Sequence, residues 1–265
     1  MRKQGYHTLH FGKWHLGAVA GSRPEQKGFD ESLGFAPGAS MYLPKNDPGV
    51  ENSHQDFDPI DLFLWAALPW GVQFNGSPWF QPAGYMTDYL TDQAITAVHA
   101  NRNRPFFLYF APNAVHTPLQ ATKTDFDALP NIADHRLRVY AAMVRNLDRN
   151  IGRLLQSLKD EGLDRNTLVI FTSDNAARII SACRTSIVPT AAGRPRSSRA
   201  ACTCPISFGG RRIFSRAPNT QRPSVTSTFF ATAAAAAGAA MPNDRTMDGV
   251  DLLPLRHRSE HQPAA

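Results

Sequence analysis

Two apolar runs flanking a long amphipathic stripe constrain this chain more than any other feature. Pro105-Phe106-Phe107-Leu108-Tyr109-Phe110-Ala111 is continuously apolar and aromatic, the composition of a strand buried on both faces of a sheet. Leu137, Tyr140, Ala141, Val144, Leu147, Ile151, Leu154, Leu155 and Leu158 then recur at helical spacing, which predicts one long helix with a single apolar stripe. Gly162 and Asn166 end it, and Thr167-Leu168-Val169-Ile170-Phe171-Thr172 is a second buried run. Strand, long helix and strand in that order predict two parallel neighbours in an α/β sheet, because the crossover helix returns the chain to the same side. An earlier helix is predicted from near Thr87, on Leu90, Ala94, Ile95 and Val98, and it stops at Arg102-Asn103-Arg104-Pro105. The 265 residues suffice for one α/β domain or a large part of one.

In such sheets ligands bind beyond the carboxyl ends of the strands. His116 lies in the segment Asn113-Ala114-Val115-His116-Thr117-Pro118 after the first run, and Asp174 and Asn175 follow the second. Their placement predicts a shared site. A carboxylate and an amide carbonyl are hard oxygen ligands for calcium or magnesium, although Asp-Asn after a strand also reads as a turn or cap. His116 taken alone reads as a structural histidine. The N-terminal run Gly5-Tyr6-His7-Thr8-Leu9-His10-Phe11-Gly12-Lys13-Trp14-His15-Leu16-Gly17 adds a second set of polar groups. Lys13 supplies a point charge and His15 a titratable imidazole, and together they could reach one polyoxygen anion. From Gly21 to Pro82 the chain is punctuated by Pro and Gly, a long irregular stretch of the kind that rims a site.

The formal charge of +6 does not describe the fold. Nine arginines, with no lysine and no acid, fall within residues 178–223; without them acidic residues outnumber basic ones. That segment lacks interleaved aromatics and helical periodicity, so nucleic acid is not expected as a partner. All three cysteines, Cys183, Cys202 and Cys204, lie there too and make neither a disulfide framework nor a zinc site. No stretch is apolar for long enough to span a bilayer, so no membrane partner is expected. Met1-Arg2-Lys3-Gln4 runs straight into the motif, without an apolar signal segment.

Residues 5–17 closely resemble the second signature of the sulfatase family, Gly-Tyr-x-Thr-x-x-x-Gly-Lys-Trp-His-Leu-Gly. The segment ending in Val115-His116-Thr117-Pro118 resembles the family's Pro-His-Thr-Pro, with Val115 in place of Pro. Leu168-Val169-Ile170-Phe171-Thr172-Ser173-Asp174-Asn175 resembles the strand ending in Ser-Asp-Asn-Gly, with Ala176 in place of Gly. Arg245 to Pro254 resembles a stretch near the end of the catalytic domain. The resemblance implies a mixed, largely parallel α/β sheet flanked by helices, of the alkaline-phosphatase-like kind, and hydrolysis of small-molecule or glycan sulfate esters. It implies that Lys13, His15 and His116 bind sulfate and act in catalysis, and that Asp174 and Asn175 ligate Ca2+ or Mg2+. His15 would hydrogen-bond a formylglycine hydrate, and His116 would protonate the leaving alcohol.

The family's formylglycine arises from Cys or Ser in Cys/Ser-x-Pro-Ser-Arg, preceded by an Asp-Asp pair, and neither motif occurs in this sequence. The expectation is therefore a catalytic domain without its N-terminal portion, inactive as written. It divides into a partial catalytic domain at 1–177, a disordered arginine-rich segment at 178–223, the end of the domain at 224–255 and a tail at 256–265. A non-catalytic remnant that keeps anion or metal binding, and a phosphoesterase of the same superfamily, are the competing readings. Residues 178–223 read as translated out of frame, because DNA encoding 195–205 can carry a family-like Glu-Gly-Gly stretch in another frame. Nucleotide sequencing is expected to show that stretch; DNA with no family-like reading in either other frame refutes the expectation.

Overall fold

The computed structural model describes residues 1–172, 207–209, 227–247, 249–251 and 253. Contacts divide the chain into two units, one essentially Gln4–Gly162 and the other Leu163–Ala265. In the first, β1 (His7–Lys13) lies between β2 (Glu31–Phe35) and β5 (Phe106–Ala111), and β4 (Gln73–Phe74) closes the edge beyond β2. β1 is parallel to both neighbours, and β4 is antiparallel to β2. This is the mixed, largely parallel sheet expected of the class. β3 (Val50–Ser53) and β6 (Leu119–Thr122) form a separate antiparallel ribbon.

The central strand was not legible as one. His7, Thr8 and His10 interrupt any apolar alternation, yet Thr8 through Gly12 are buried. Leu9 and Phe11 supply the apolar core, while the polar residues on the other face are satisfied from distant segments. Thr8 donates its hydroxyl to the Asp30 carboxylate and to the Gly28 carbonyl. Buried polar groups with partners cost little, so the strand tolerates them.

Helices pack against this sheet and on one another. α1 (Pro59–Ala67) opens on Asp58, whose side chain accepts from the Ile60 amide. α2 (Met86–Ala100) packs on β1 and buries Met86, Leu90, Ala94 and Val98, in line with its periodicity. Asn101 ends it, donating from its side-chain amide to the Ala97 carbonyl. α3 (Lys123–Asp127) leads to α4 (His135–Asp160), which opens on Asp134 accepting from the Leu137 amide. α4 stops before Gly162 at φ +69°, as expected.

The buried face of α4 differs from the apolar stripe. Val139, Ala142, Met143, Asn146 and Asn150 are buried, whereas Val144 and Leu155 are 41% and 38% exposed. The asparagines are tolerated because both donate to Asp88, and Asn146 also to Asp125. Burial works against ionisation of Asp125, but hydrogen bonds from Arg149, Thr122 and Asn146 outweigh it and hold its carboxyl below the usual range.

One further expectation changes. The run 105–111 is only partly buried, with Tyr109 41% exposed, and among the described residues β5 has a strand neighbour on one side. β5 pairs with β1, and β7 (Val169–Phe171) pairs antiparallel with β8 (Ser207–Gly209) in the second unit. Periodicity defined the element types correctly but carried no information about strand partners. α5 (Ser227–Ala236) covers an alanine-rich run. Within 178–223 only β8 is described; the remainder of that expected irregular segment lies outside the described residues.

The carboxyl ends of β1, β2 and β5 leave no room for a Cβ at two positions. Gly12, at φ +121°, pairs with Gly34 on one side and Ala111 on the other. A Cβ at position 12 would lie 2.0 Å from the Ala111 carbonyl oxygen, and one at position 34 would lie 1.9 Å from the Gly12 oxygen. Only glycine fits these positions. Gly12→Ala is expected to lower unfolding stability by about 3 kcal/mol through clash and positive-φ strain, measured by chemical denaturation. A variant within about 0.5 kcal/mol of the parent, the range of an ordinary surface change, contradicts this.

Candidate active site

Lys13 is the last residue of β1, and its register partner is Phe35, the last residue of β2. Gly12 pairs with Ala111, the last residue of β5. The three parallel strands therefore end at one sheet edge. From that edge emerge Lys13 and the Trp14–Gly17 turn, the segment beginning at Ala36, and the loop 112–118 that carries His116. The carboxyl edge of a parallel sheet is where ligand-binding residues collect.

After Lys13 the backbone continues to follow β2: the Trp14 amide donates to the Phe35 carbonyl at 3.0 Å and the His15 amide to Ala36 at 3.1 Å. His15 then takes φ +56°, a left-handed conformation uncommon outside glycine. Its imidazole is exposed and rests on Gly38, where an added Cβ would lie 2.7 Å from Nε2. The Trp14 indole donates to the Ser22 carbonyl at 2.8 Å, which closes the turn.

His116 is also exposed. Its amide donates to the Asn113 carbonyl at 2.9 Å, its carbonyl accepts from the Tyr42 hydroxyl at 3.1 Å, and Nδ1 lies 2.6 Å from the Thr117 carbonyl. A carbonyl can only accept, so that ring nitrogen carries the proton. Asn113 donates through Nδ2 to the Ser40 carbonyl at 3.0 Å. This bond ties the His116 loop to the segment on which His15 rests.

Lys13, His15 and His116 thus leave a common edge on mutually bonded segments. The expected metal ligands Asp174 and Asn175 lie outside the described residues. Among the described residues there is no group of three or more His, Cys, Asp or Glu suited to a metal ion, and no helix is long and apolar enough to cross a membrane.

A family model described as Sulfatase matches residues 1–202. This chain belongs to the sulfatase family. It is 32% identical over 263 residues to N-acetylgalactosamine-6-sulfatase of Rattus norvegicus, covering 96% of this chain and 47% of that protein. It is 33% identical over 184 residues to Arylsulfatase J of Mus musculus, covering 67% and 28%. Among solved structures it is similar to Ps i-CgsB in complex with k-i-k-neocarrahexaose, with TM-score 0.80, 29% identity, and coverage of 97% and 56%. The chain spans about half the length of the curated relatives it matches.

The sulfatase motif drew attention to Lys13 and His15 but not to His10, which supports them. His10 is 1% exposed, with Nδ1 2.9 Å from the Ser32 hydroxyl and Nε2 3.2 Å from the Lys13 carbonyl. The carbonyl requires Nε2–H, so neutral Nδ1 accepts from Ser32. The ring also packs on Trp14, Phe29 and Tyr109. Burial pushes its imidazole down to about 4, with the Lys13 carbonyl opposing that shift. Within the sequence His10 carried no signal beyond its place in a polar run.

The depressed value has a defined pH consequence. An unfolded chain protonates His10 near 6.5 and the folded chain only near 4, so the stability held by neutral His10 is complete above 6.5 and is lost as pH falls toward 4. The difference is on the order of 3 kcal/mol. His10→Gln is expected to flatten this part of the stability–pH curve, measured by denaturation at several pH values. Parallel curves for variant and parent would refute the assignment.

Proposed function

We propose that this sulfatase chain holds the oxyanion of a sulfate ester at the edge where β1, β2 and β5 end, as the anion-binding part of a sulfuric ester hydrolase site. The observation that supports it best is the common exit of Lys13 and the His15 and His116 segments, bonded together through Asn113 and Ser40. Lys13 supplies a fixed positive charge against sulfate oxygens, and His15 a hydrogen bond at the same group. His116, whose Nδ1 is directed at its own loop carbonyl, is the candidate proton donor to the ester oxygen that leaves.

Asp174 and Asn175 offer hard oxygens of the kind that calcium or magnesium takes. The described groups bind and orient the ester. The sequence contains no formylglycine precursor motif, so the 265-residue chain by itself binds sulfate without turning the ester over. Small-molecule and glycan sulfate esters are the substrate class, in keeping with the names of the relatives.

Calorimetric titration of the purified chain tests this. Inorganic sulfate is expected to bind, and Lys13→Ala to weaken it about 10- to 100-fold, the loss of one charged hydrogen bond. An aryl sulfate is expected to go unhydrolysed. Absence of binding contradicts the site, turnover contradicts the non-catalytic reading, and tighter binding of phosphate than sulfate favours a phosphoesterase.

A further inference from the structure

The two histidines are exposed, so whatever fixes their separation lies beneath them. Segment 38–42 is the element that touches both. Ala39, Ser40, Met41 and Tyr42 are all at most 2% exposed, which is unusual for irregular backbone. The segment is anchored on several sides. The Met41 amide donates to the Pro69 carbonyl at 2.9 Å and the Met86 amide to the Tyr42 carbonyl at 2.9 Å. The Ser40 hydroxyl also donates to Pro69, and the Tyr42 amide donates to the side chain of fully buried Gln120 at 2.9 Å. The Tyr42 ring stacks on Tyr85 with centroids 5.4 Å apart.

Alternate residues of this segment reach the two histidines. Gly38 is the surface on which the His15 ring lies, with no space for a Cβ. The Ser40 carbonyl receives the Asn113 amide at the base of the His116 loop. The Tyr42 hydroxyl donates to the His116 carbonyl, and burial pushes the phenol so far above its usual range that it remains a donor at any ordinary pH. Asn113 is itself 3% exposed, and its Oδ1 has no hydrogen-bond partner among the described residues. An orphaned buried acceptor is costly; the side chain is retained in an orientation that serves Ser40 and not itself.

We propose that Gly38–Tyr42 is a rigid strap that sets the placement of His15 relative to His116, with Gly38, Tyr42 and Asn113 as positioning residues. The inference rests on the anion-site reading for its functional consequence and on the geometry alone for its structural content. A site for one anion needs its donors held within a fraction of an ångström, and two exposed loops do not achieve that by themselves.

The test is imidazole 1H–13C NMR of the full chain, with and without inorganic sulfate, using His15→Gln and His116→Gln to assign the two rings. Tyr42→Phe removes one hydroxyl and is expected to move the His116 resonances while leaving those of His15. Gly38→Ala is expected to do the reverse, and Asn113→Ala to move both. Each is expected to weaken sulfate binding about 3- to 10-fold, the effect of one displaced hydrogen bond. Asn146→Ala, in the buried network between α2 and α4, serves as the control for general destabilisation: it is expected to lower the melting temperature and leave both rings unmoved. The strap is refuted if Tyr42→Phe leaves His116 in place, or if Asn146→Ala moves both rings as far as Asn113→Ala does. Should Gly38→Ala not fold, the Tyr42 and Asn113 variants decide the question. Should sulfate move neither ring in the unmodified chain, the anion site is refuted, and the anion-free spectra still decide the strap.

Discussion

Close approach of three backbones at Gly12 is the constraint on which the remainder of the first unit depends. With no Cβ at positions 12 or 34, the ends of β1, β2 and β5 come together at a separation that any side chain would prevent. Lys13 follows Gly12 directly, Ala36 follows the end of β2, and Pro112 follows Ala111. Three chain segments that are distant in sequence therefore start from one line. Register does the rest: Gly12 faces both Gly34 and Ala111, so a slip of one residue would turn Lys13 to the opposite face.

What could be read in the sequence divides along the range of the interactions involved. Helices α2 and α4 were legible because 3.6-residue periodicity and end signals such as Gly162 and the Arg102–Pro105 run are local. The Lys13–His15 pair and His116 stand out as candidates because they sit in short motifs. β1 was hidden because Thr8 and His10 are polar, and their partners Asp30 and Ser32 come from the following strand region. The α4 stripe misled for the same reason: Asn146 and Asn150 look like surface residues until Asp88 and Asp125 are placed beside them. Gly38 carried no distinguishing signal, being one of many glycines in a stretch rich in Gly and Pro, and Tyr42 and Asn113 act through single hydrogen bonds to distant carbonyls.

His10 shows how the buried side of β1 reaches the exposed site. Its ring is sandwiched among aromatic groups, and its one strong acceptor is the carbonyl of Lys13. The bond fixes the backbone from which the Lys13 side chain departs, three residues along the same strand. Because low exposure keeps the imidazole neutral, Nδ1 stays available to Ser32 and the strand pair β1–β2 is stapled on the site side of the sheet.

His15 illustrates why such support must come from outside the turn. Its left-handed backbone costs on the order of 1 kcal/mol for a residue with a Cβ, and the adjoining Leu16 and Val19 are each 70% exposed, so they contribute little packing to hold it. The conformation persists because the amide is bonded to Ala36, the indole of Trp14 is bonded to Ser22, and the ring lies on Gly38. An exposed imidazole gains only modest energy from an anion, since water screens the interaction. Under those conditions the affinity of the site depends heavily on how little ordering remains to be done when the anion arrives. A strained turn fixed in advance on a buried segment does that ordering during folding, which is what the anion site we propose asks of Lys13, His15 and His116.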